Sequence, residues 1–397
     1  MNKKIFVYIA TVLFLIITTV AVILYGKGYN FSFGDGKIDL LGTGLLAATS
    51  QPDGAGIYIN NHLSSATNNT ISLPPGEYQI KIAKSGYFPW EKKIKIEKEV
   101  VASAYALLLP NAPKLENITD SGVSGPVIDP SRTKIAYTVS GADNSRKNGI
   151  YILDMSLRPI LTLQSSSTQI VDDTIDNFSQ AKISWSPDAK ELVATVSAGT
   201  NASTTYLLKT SFNQNPQDVT ETLSTVNASW NKQKESQEKS QIFGLKAKLI
   251  SLIKEDFKIL SWSEDETKIL YSASQSATLP LIINPPLIGA NSTKQERTIN
   301  KEAVYVYDIK EDKNFKILDS MPNPLSLTWF SDSKHLIYVN DKKISIMDYD
   351  GQNKTTVFAG PFIDNYAYPW PDGSKILILT DLGNPTISPN LYTIGLK

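Results

Sequence analysis

Five short stretches of this chain carry one phrase, and a phrase repeated at intervals of tens of residues restricts the fold more than any single motif. The clearest copy is Ile183-Ser184-Trp185-Ser186-Pro187-Asp188. It returns as Leu260-Ser261-Trp262-Ser263-Glu264-Asp265 and as Leu327-Thr328-Trp329-Phe330-Ser331-Asp332. Fainter copies stand at Val127-Ile128-Asp129-Pro130-Ser131 and Tyr368-Pro369-Trp370-Pro371-Asp372-Gly373. An apolar run follows each, such as Ile135-Ala136-Tyr137, Ile269-Leu270-Tyr271 or Ile376-Leu377-Ile378. The unit therefore reads strand, polar turn, strand. With Ile128, Trp185, Trp262, Trp329 and Trp370 taken as equivalent, the intervals are 57, 77, 67 and 41 residues. Four short strands need about 40 residues, so the last interval is nearly bare and the others carry insertions.

Further strands follow each pair. Third strands fit 149–154, 205–208, 304–308, 344–348 and 391–394, and fourth strands fit 160–163, 315–318 and 355–358. The last repeat lacks a strand, and 114–119 precedes the first repeat without a unit of its own. Pairing of that segment with the last repeat would close a ring and remove its open edges. Five blades are expected, or six if 210–258 holds a degenerate one. The signature Trp-Ser-Pro-Asp-Gly before an apolar strand resembles the TolB-like, WD-repeat-related propellers across 114–397. Trp185-Ser186-Pro187-Asp188 and Trp370-Pro371-Asp372-Gly373 are near copies, Trp262 and Trp329 lack the Pro, and position 128 lacks the Trp. The resemblance implies fold, since propellers host binding, scaffolding and catalysis alike. The turn aspartates are expected to brace backbone N–H groups and the tryptophans to pack between blades.

Upstream, residues 5–25 hold no charge, Pro or Gly. As a helix they would span about 31 Å, the thickness of a hydrocarbon core. Lys3 and Lys4 precede the run. We expect 1–26 to be a cytoplasmic tip and single-pass signal-anchor, with the bulk of the chain outside the cell membrane. A cleaved signal peptide is the alternative, although Tyr25-Gly26-Lys27 makes a poor cleavage site. A Gly-rich spacer covers 27–44.

Residues 45–110 read as about six short strands of a small β-sandwich. Asn60-Asn61 suits a tight hairpin turn, and Tyr78-Gln79-Ile80-Lys81-Ile82 alternates with period two. Pro52-Asp53-Gly54-Ala55, Ile57-Tyr58-Ile59-Asn60, Leu73-Pro74-Pro75-Gly76-Glu77-Tyr78 and Lys84-Ser85-Gly86-Tyr87 resemble the PEGA domain, with Asp53 where the family has Glu. That resemblance implies a surface or scaffold role at the envelope of bacteria and archaea. Tyr87, Phe88 and Trp90 read as core filling rather than a sugar platform.

The fold class is thus mainly β: a transmembrane helix, a PEGA-type sandwich, a linker at Pro110–Pro113, and a propeller over 111–397. Two insertions break the ring. Residues 227–254 carry Ile242, Leu245, Leu249, Ile250, Leu252 and Ile253 at near-helical spacing, read as one or two amphipathic helices packed on the rim with a break at Gly244. Residues 280–301 are an apolar, Pro-rich hairpin, a candidate binding edge because so apolar a loop must bury itself somewhere.

The 397 residues contain 39 Lys+Arg and 39 Asp+Glu, so no basic footprint for nucleic acid exists. With no cysteine, disulfides, thiolate metal sites and cysteine nucleophiles are excluded. The two histidines, His62 and His335, form no His-x-x-x-His pair, and no phosphate loop, dinucleotide fingerprint or Gly-x-Ser-x-Gly elbow occurs. Asp348-Tyr349-Asp350-Gly351 and Asp172-Asp173 with Asp176 lack the full alternation of a calcium loop. No residue is therefore assigned as catalytic, cofactor-binding or metal-ligating, no cofactor is expected, and the binding residues stay unassigned. The expected role is a non-catalytic, membrane-anchored scaffold whose propeller binds an envelope protein or a cell-wall glycan. The alternative is a propeller hydrolase acting on polysaccharide through facing carboxylates in its funnel.

Overall fold

The structure, a computed structural model, describes residues 3–26, 29–34, 37–142, 144–156, 167–199, 202–320, 326–363 and 366–396, with the backbone alone at 3–6, 24–26, 29–34, 37–41, 145 and 198. The chain divides into two compact units.

The first unit holds residues up to Asn111 together with Pro280–Arg297 and Asp308–Phe315. It opens with helix α1, Lys3–Gly26. The described side chains of α1 run from Val7 to Ile23 and are nearly all exposed. Among the described residues no helix is long and apolar enough to cross a membrane. The span expected over 5–25 extends past those side chains at both ends. The expected spacer holds a two-stranded hairpin, Tyr29–Gly34 against Lys37–Gly42.

Two sheets then face each other. In one, Gly44–Gln51 lies between Asn69–Leu73 and Val101–Leu107, running parallel to the latter. In the other, the order is His62–Ala66, Gly56–Ile59, Gly76–Ala83 and Trp90–Ile96. Period-two alternation sends Leu46 and Ala48 from the first sheet, and Ile57, Ile80, Ile82, Ile94 and Ile96 from the second, into one core. Each buried Ile is worth roughly 1.5–3 kcal/mol. Trp90 joins that core while Phe88 stays partly exposed. Asn60 and Asn61 turn with φ of 48° and 68°, the left-handed pair that a two-residue hairpin requires. The strand His62–Ala66 was not anticipated, because its mostly exposed side chains carry no apolar alternation.

The apolar insertion is held mainly through its backbone. Asp312, buried, accepts the N–H groups of Ile282 at 2.7 Å and Ile283 at 2.8 Å, and pairs with Arg297 at 2.9 Å. Arg297 also donates to the carbonyl of Pro280 at 2.9 Å. The N–H of Lys95 donates to Ser292 Oγ at 3.0 Å, tying the loop to the sandwich. The tip, Leu287-Ile288, remains exposed, Ile288 at 71%.

The second unit consists mainly of five four-stranded sheets, counted among the described residues. Blade one is Ser124–Ile128, Lys134–Val139, Gly149–Asp154 and Ser167–Asp172; blade two is Lys182–Trp185, Glu191–Ala198, Ala202–Lys209 and Gln217–Asp218. Blade three is Phe257–Trp262, Lys268–Ala273, Val304–Asp308 and Lys313–Leu318; blade four is Leu327–Trp329, His335–Asn340, Lys343–Asp348 and Thr355–Ala359. Blade five takes Ala367–Pro369, Lys375–Thr380 and Asn390–Gly395 from one end of the unit and Leu115–Asn117 from the other, with Leu115 opposite Ile394 and Asn117 opposite Tyr392. Apolar clusters join blade one to blade two through Ala136, Ile150, Trp185 and Leu192, and blade one to blade five through Ile135, Tyr137, Leu377 and Leu391. That adjacency of first and last blades makes the array a ring. The fourth strand expected at 160–163 lies outside the described residues, and Ser167–Asp172 occupies that place in the sheet.

Every turn between the first two strands is built alike. Two backbone hydrogen bonds close it, as in Ser186 N–H to Glu191 O at 2.9 Å and Ala189 N–H to Ser186 O at 3.0 Å. The same pair recurs from Asp129 and Arg132, Ser263 and Glu266, Phe330 and Ser333, and Trp370 and Gly373. This corrects the alignment of the last copy. Trp370 matches Ser186, and it is Pro369, opposite Ile376, that matches Trp185, opposite Leu192. The conspicuous indole at 370 misplaced the phase by one residue.

Between blades two and three, α2 (Leu223–Ile242) and α3 (Ala247–Glu255) are separated by Gly244 at φ 88°. The apolar stripe belongs to α3, which buries Leu249, Leu252 and Ile253. Helix α2 buries no residue fully and leaves only Leu223, Val226, Trp230, Gln241 and Ile242 half-buried, so the packed apolar stripe lies in α3.

Two outcomes follow from these contacts. Asp312→Ala removes the acceptor for two buried-loop N–H groups and leaves Arg297 unpaired, so it should cost about 3–5 kcal/mol and open 281–296 to limited proteolysis. Ala189→Gly relieves a left-handed residue, at φ 58° in the position Gly373 fills in blade five, and should raise propeller stability by up to about 1 kcal/mol in calorimetry.

Candidate functional site

The turns bring together residues that the repeated phrase does not share. A cavity of about 360 Å³ is bounded by turn residues from blades one, three, four and five, a size at the small end of ligand pockets. Its walls include Arg132 and Ser131 from blade one, Trp262 and Glu264 from blade three, Ser331 from blade four and Pro371 from blade five. Blade two is represented by α2 instead. Gln237 Nε2 donates to the carbonyl of Pro187 at 3.4 Å, and Gln241, at the cavity wall, donates to Glu266 Oε1 at 3.2 Å.

Arg132 stands out electrostatically. It is the left-handed residue of its turn, at φ 57°. Its guanidinium donates once, over 3.4 Å, to the carbonyl of Trp329. Among the described residues it forms no ion pair. Burial pushes its pKa down, against the charge of Glu264, which raises it. The side chains of Trp262, Ser261 and Ser331, on the same walls, likewise have no hydrogen-bond partner among the described residues.

The repeated aspartates act within the turns. Asp129 Oδ1 accepts the N–H groups of Thr133 at 2.8 Å and Lys134 at 2.7 Å. Ser186 Oγ donates to Asp188 at 2.7 Å, and Ser263 Oγ to Asp265 at 2.7 Å. The bond from Ser186 holds Asp188 below the usual carboxylate range. Burial pushes Asp265 up, but bonds from Ser263 and Thr267 outweigh it and lower its pKa. Trp185 Nε1 donates to Val127 O of the preceding blade at 3.0 Å, whereas the buried Trp329 Nε1 has no partner.

His335 is a structural histidine. It opens the second strand of blade four, with Nδ1 2.6 Å from Asp332 Oδ2 and Nε2 3.3 Å from Asp348 Oδ1. Burial alone would lower its pKa. The hydrogen bond and charge of Asp332, then those of Asp348, prevail and raise it to about 9. The other acidic turn read for calcium is also engaged. Asp172 accepts from Thr174, Asp173 from the Ser179 N–H and Asp176 from the Tyr206 hydroxyl. Among the described residues no group of three or more acidic or histidine side chains is placed to hold a metal. His62, in the sandwich, is exposed beside the Asn60 carbonyl.

A family model described as the PEGA domain matches residues 43–110. No curated protein matches the chain. Among solved structures, a protein described as TolB from Agrobacterium tumefaciens shares 13% identity over 69% of this chain and 81% of its own, with a TM-score of 0.23. TolB from Acinetobacter baumannii shares 14% identity over 80% of this chain and 59% of its own, at a TM-score of 0.21. An acylaminoacyl peptidase from Pyrococcus horikoshii shares 13% identity over 70% of this chain and 38% of its own, at 0.20. Likeness at this level speaks to no activity.

The Asp332–His335–Asp348 cluster sets a pH dependence. A raised folded-state pKa stabilises below the unfolded value of about 6.5 and loses that contribution as pH rises through about 9. Urea midpoints should therefore fall between those limits in the wild type, and the part of that fall due to His335 should vanish in His335→Gln.

Proposed function

We propose that this chain is a non-catalytic binding protein, anchored in the cell membrane through residues 5–25, whose extracytoplasmic propeller engages an envelope partner at the cavity ringed by its turns. One observation carries the reading: the cavity gathers, on a ring of turns, a guanidinium with a single long hydrogen bond and an indole and two hydroxyls without hydrogen-bond partners among the described residues. A concave site on framework turns whose donors the protein itself leaves largely unused suits recognition of a ligand. The anchor is supported by the charge-free run within α1 and by its exposed apolar side chains, Phe14 among them. The PEGA domain at 43–110 fits a spacer or scaffold role.

The test is crosslinking of the full chain in its native membrane, followed by capture, beside the variant Arg132→Gln. A partner retained by the wild type and lost from the variant supports the reading. Equal recovery by both proteins sinks the assignment to the cavity, and recovery of the chain in the fraction released by alkaline carbonate sinks the anchor.

A further inference from the structure

The same cavity specifies the charge of what it takes. Arg132 offers five N–H donors in a planar fork, and the protein uses one of them over a long 3.4 Å bond. The charge of Glu264 acts on it without forming an ion pair, so the fork stays open to a carboxylate that a ligand supplies. Ser331 and Ser261 add hydroxyl donors, and Trp262 adds an indole N–H, from neighbouring walls. By contrast, the hydroxyl of Ser131 turns to Asp129 and that of Ser263 to Asp265.

Charge on the same walls limits the anion. Glu264 and Glu266 line the cavity too. Their charges repel any anion and a dianion most, so the single guanidinium favours one planar monoanion. The wall shape limits the carrier. Trp329 and Phe330 are buried and Trp262 is only half exposed, so no broad aromatic platform is offered to a sugar ring. Pro369 and Pro371 supply small apolar contacts on the scale of an amino-acid side chain.

We propose that this cavity is a carboxylate-binding site that receives an acidic side chain of a partner protein, held by Arg132 with Ser261, Ser331 and Trp262 as flanking donors. The inference rests on the binding reading above, and its test needs no partner. A failed titration beside a successful capture removes the carboxylate and leaves the binding reading intact. A successful titration beside a failed capture does the reverse.

The full chain in detergent micelles, labelled with 5-fluorotryptophan, carries 6 tryptophans and so reports through few fluorine resonances. The Trp262 resonance is assigned by Trp262→Phe. N-acetylaspartic acid α-amide should shift it saturably at millimolar concentration, and the neutral isostere N-acetylasparagine amide should not. Arg132→Gln should weaken that response about tenfold or more, with the remaining resonances unmoved as the check on folding. Arg132→Lys should retain part of it, because the charge survives and the fork is lost. Overturning results are the absence of a saturable shift, an equal shift by the asparagine compound, or a response that survives Arg132→Gln. Tighter binding of glucuronate than of the aspartate compound would overturn the peptide source and assign the site to a sugar acid.

Discussion

The second unit depends on one turn made five times. Its two backbone hydrogen bonds require a left-handed residue at a fixed place, and Arg132, Ala189, Glu266, Ser333 and Gly373 all take it, with φ between 54° and 65°. Four of the five are not glycine, so four copies bear a backbone cost that only their surroundings offset. The turn sets the register of the strands it joins: Ile128 faces Ile135, Trp185 faces Leu192, Trp262 faces Ile269, Trp329 faces Leu336 and Pro369 faces Ile376. A slip of one residue would reverse every apolar side chain on the second strand. The side chain at the left-handed position is thereby also fixed, and in blade one it is the arginine of the cavity.

How far this was readable in the sequence follows from which interactions are local. Apolar alternation, Asn-Asn turns and the aspartate braces act over a few residues, and they announced the sandwich and the strand pairs. The strand His62–Ala66 lacks a buried alternating face and gave no signal. Trp370 drew the phase of the last copy to itself, although the backbone makes Pro369 the counterpart of Trp329. The near-helical stripe was real for Leu249, Leu252 and Ile253 but did not extend to α2, none of whose residues is fully buried.

The cavity was hidden for a different reason. Its residues occupy positions where the copies disagree: Arg132 stands where Glu266 does in blade three, and Ser331 where Pro130 and Glu264 do. A search for what repeats passes over them. They are found by superposing the copies and asking what each places at the same point, which needs the left-handed residue rather than the tryptophan as the reference. The insertion 280–301 is clasped by Asp312 and Arg297 from within its own unit, while its tip, Leu287-Ile288, stays exposed.

Ring closure brings a consequence for how the molecule is made. Four blades assemble from strands that follow one another, although blade three must first accommodate its insertion. The fifth waits. Thr119 meets Asn390 across 271 residues, and Leu115–Asn117 pairs with the last strand over three positions. Until the strand Asn390–Gly395 arrives, blade five has an unsatisfied edge and blade one an uncovered apolar flank around Ile135 and Tyr137. Such a species is an open arc with two adhesive ends, and closing it costs more loop entropy than any pairing within a blade. At high concentration the arc can find the matching end of a second copy before its own, joining two chains through exchanged strands. Closure of this ring is therefore a competition between one molecule and its neighbours, decided by how quickly the last strand is delivered.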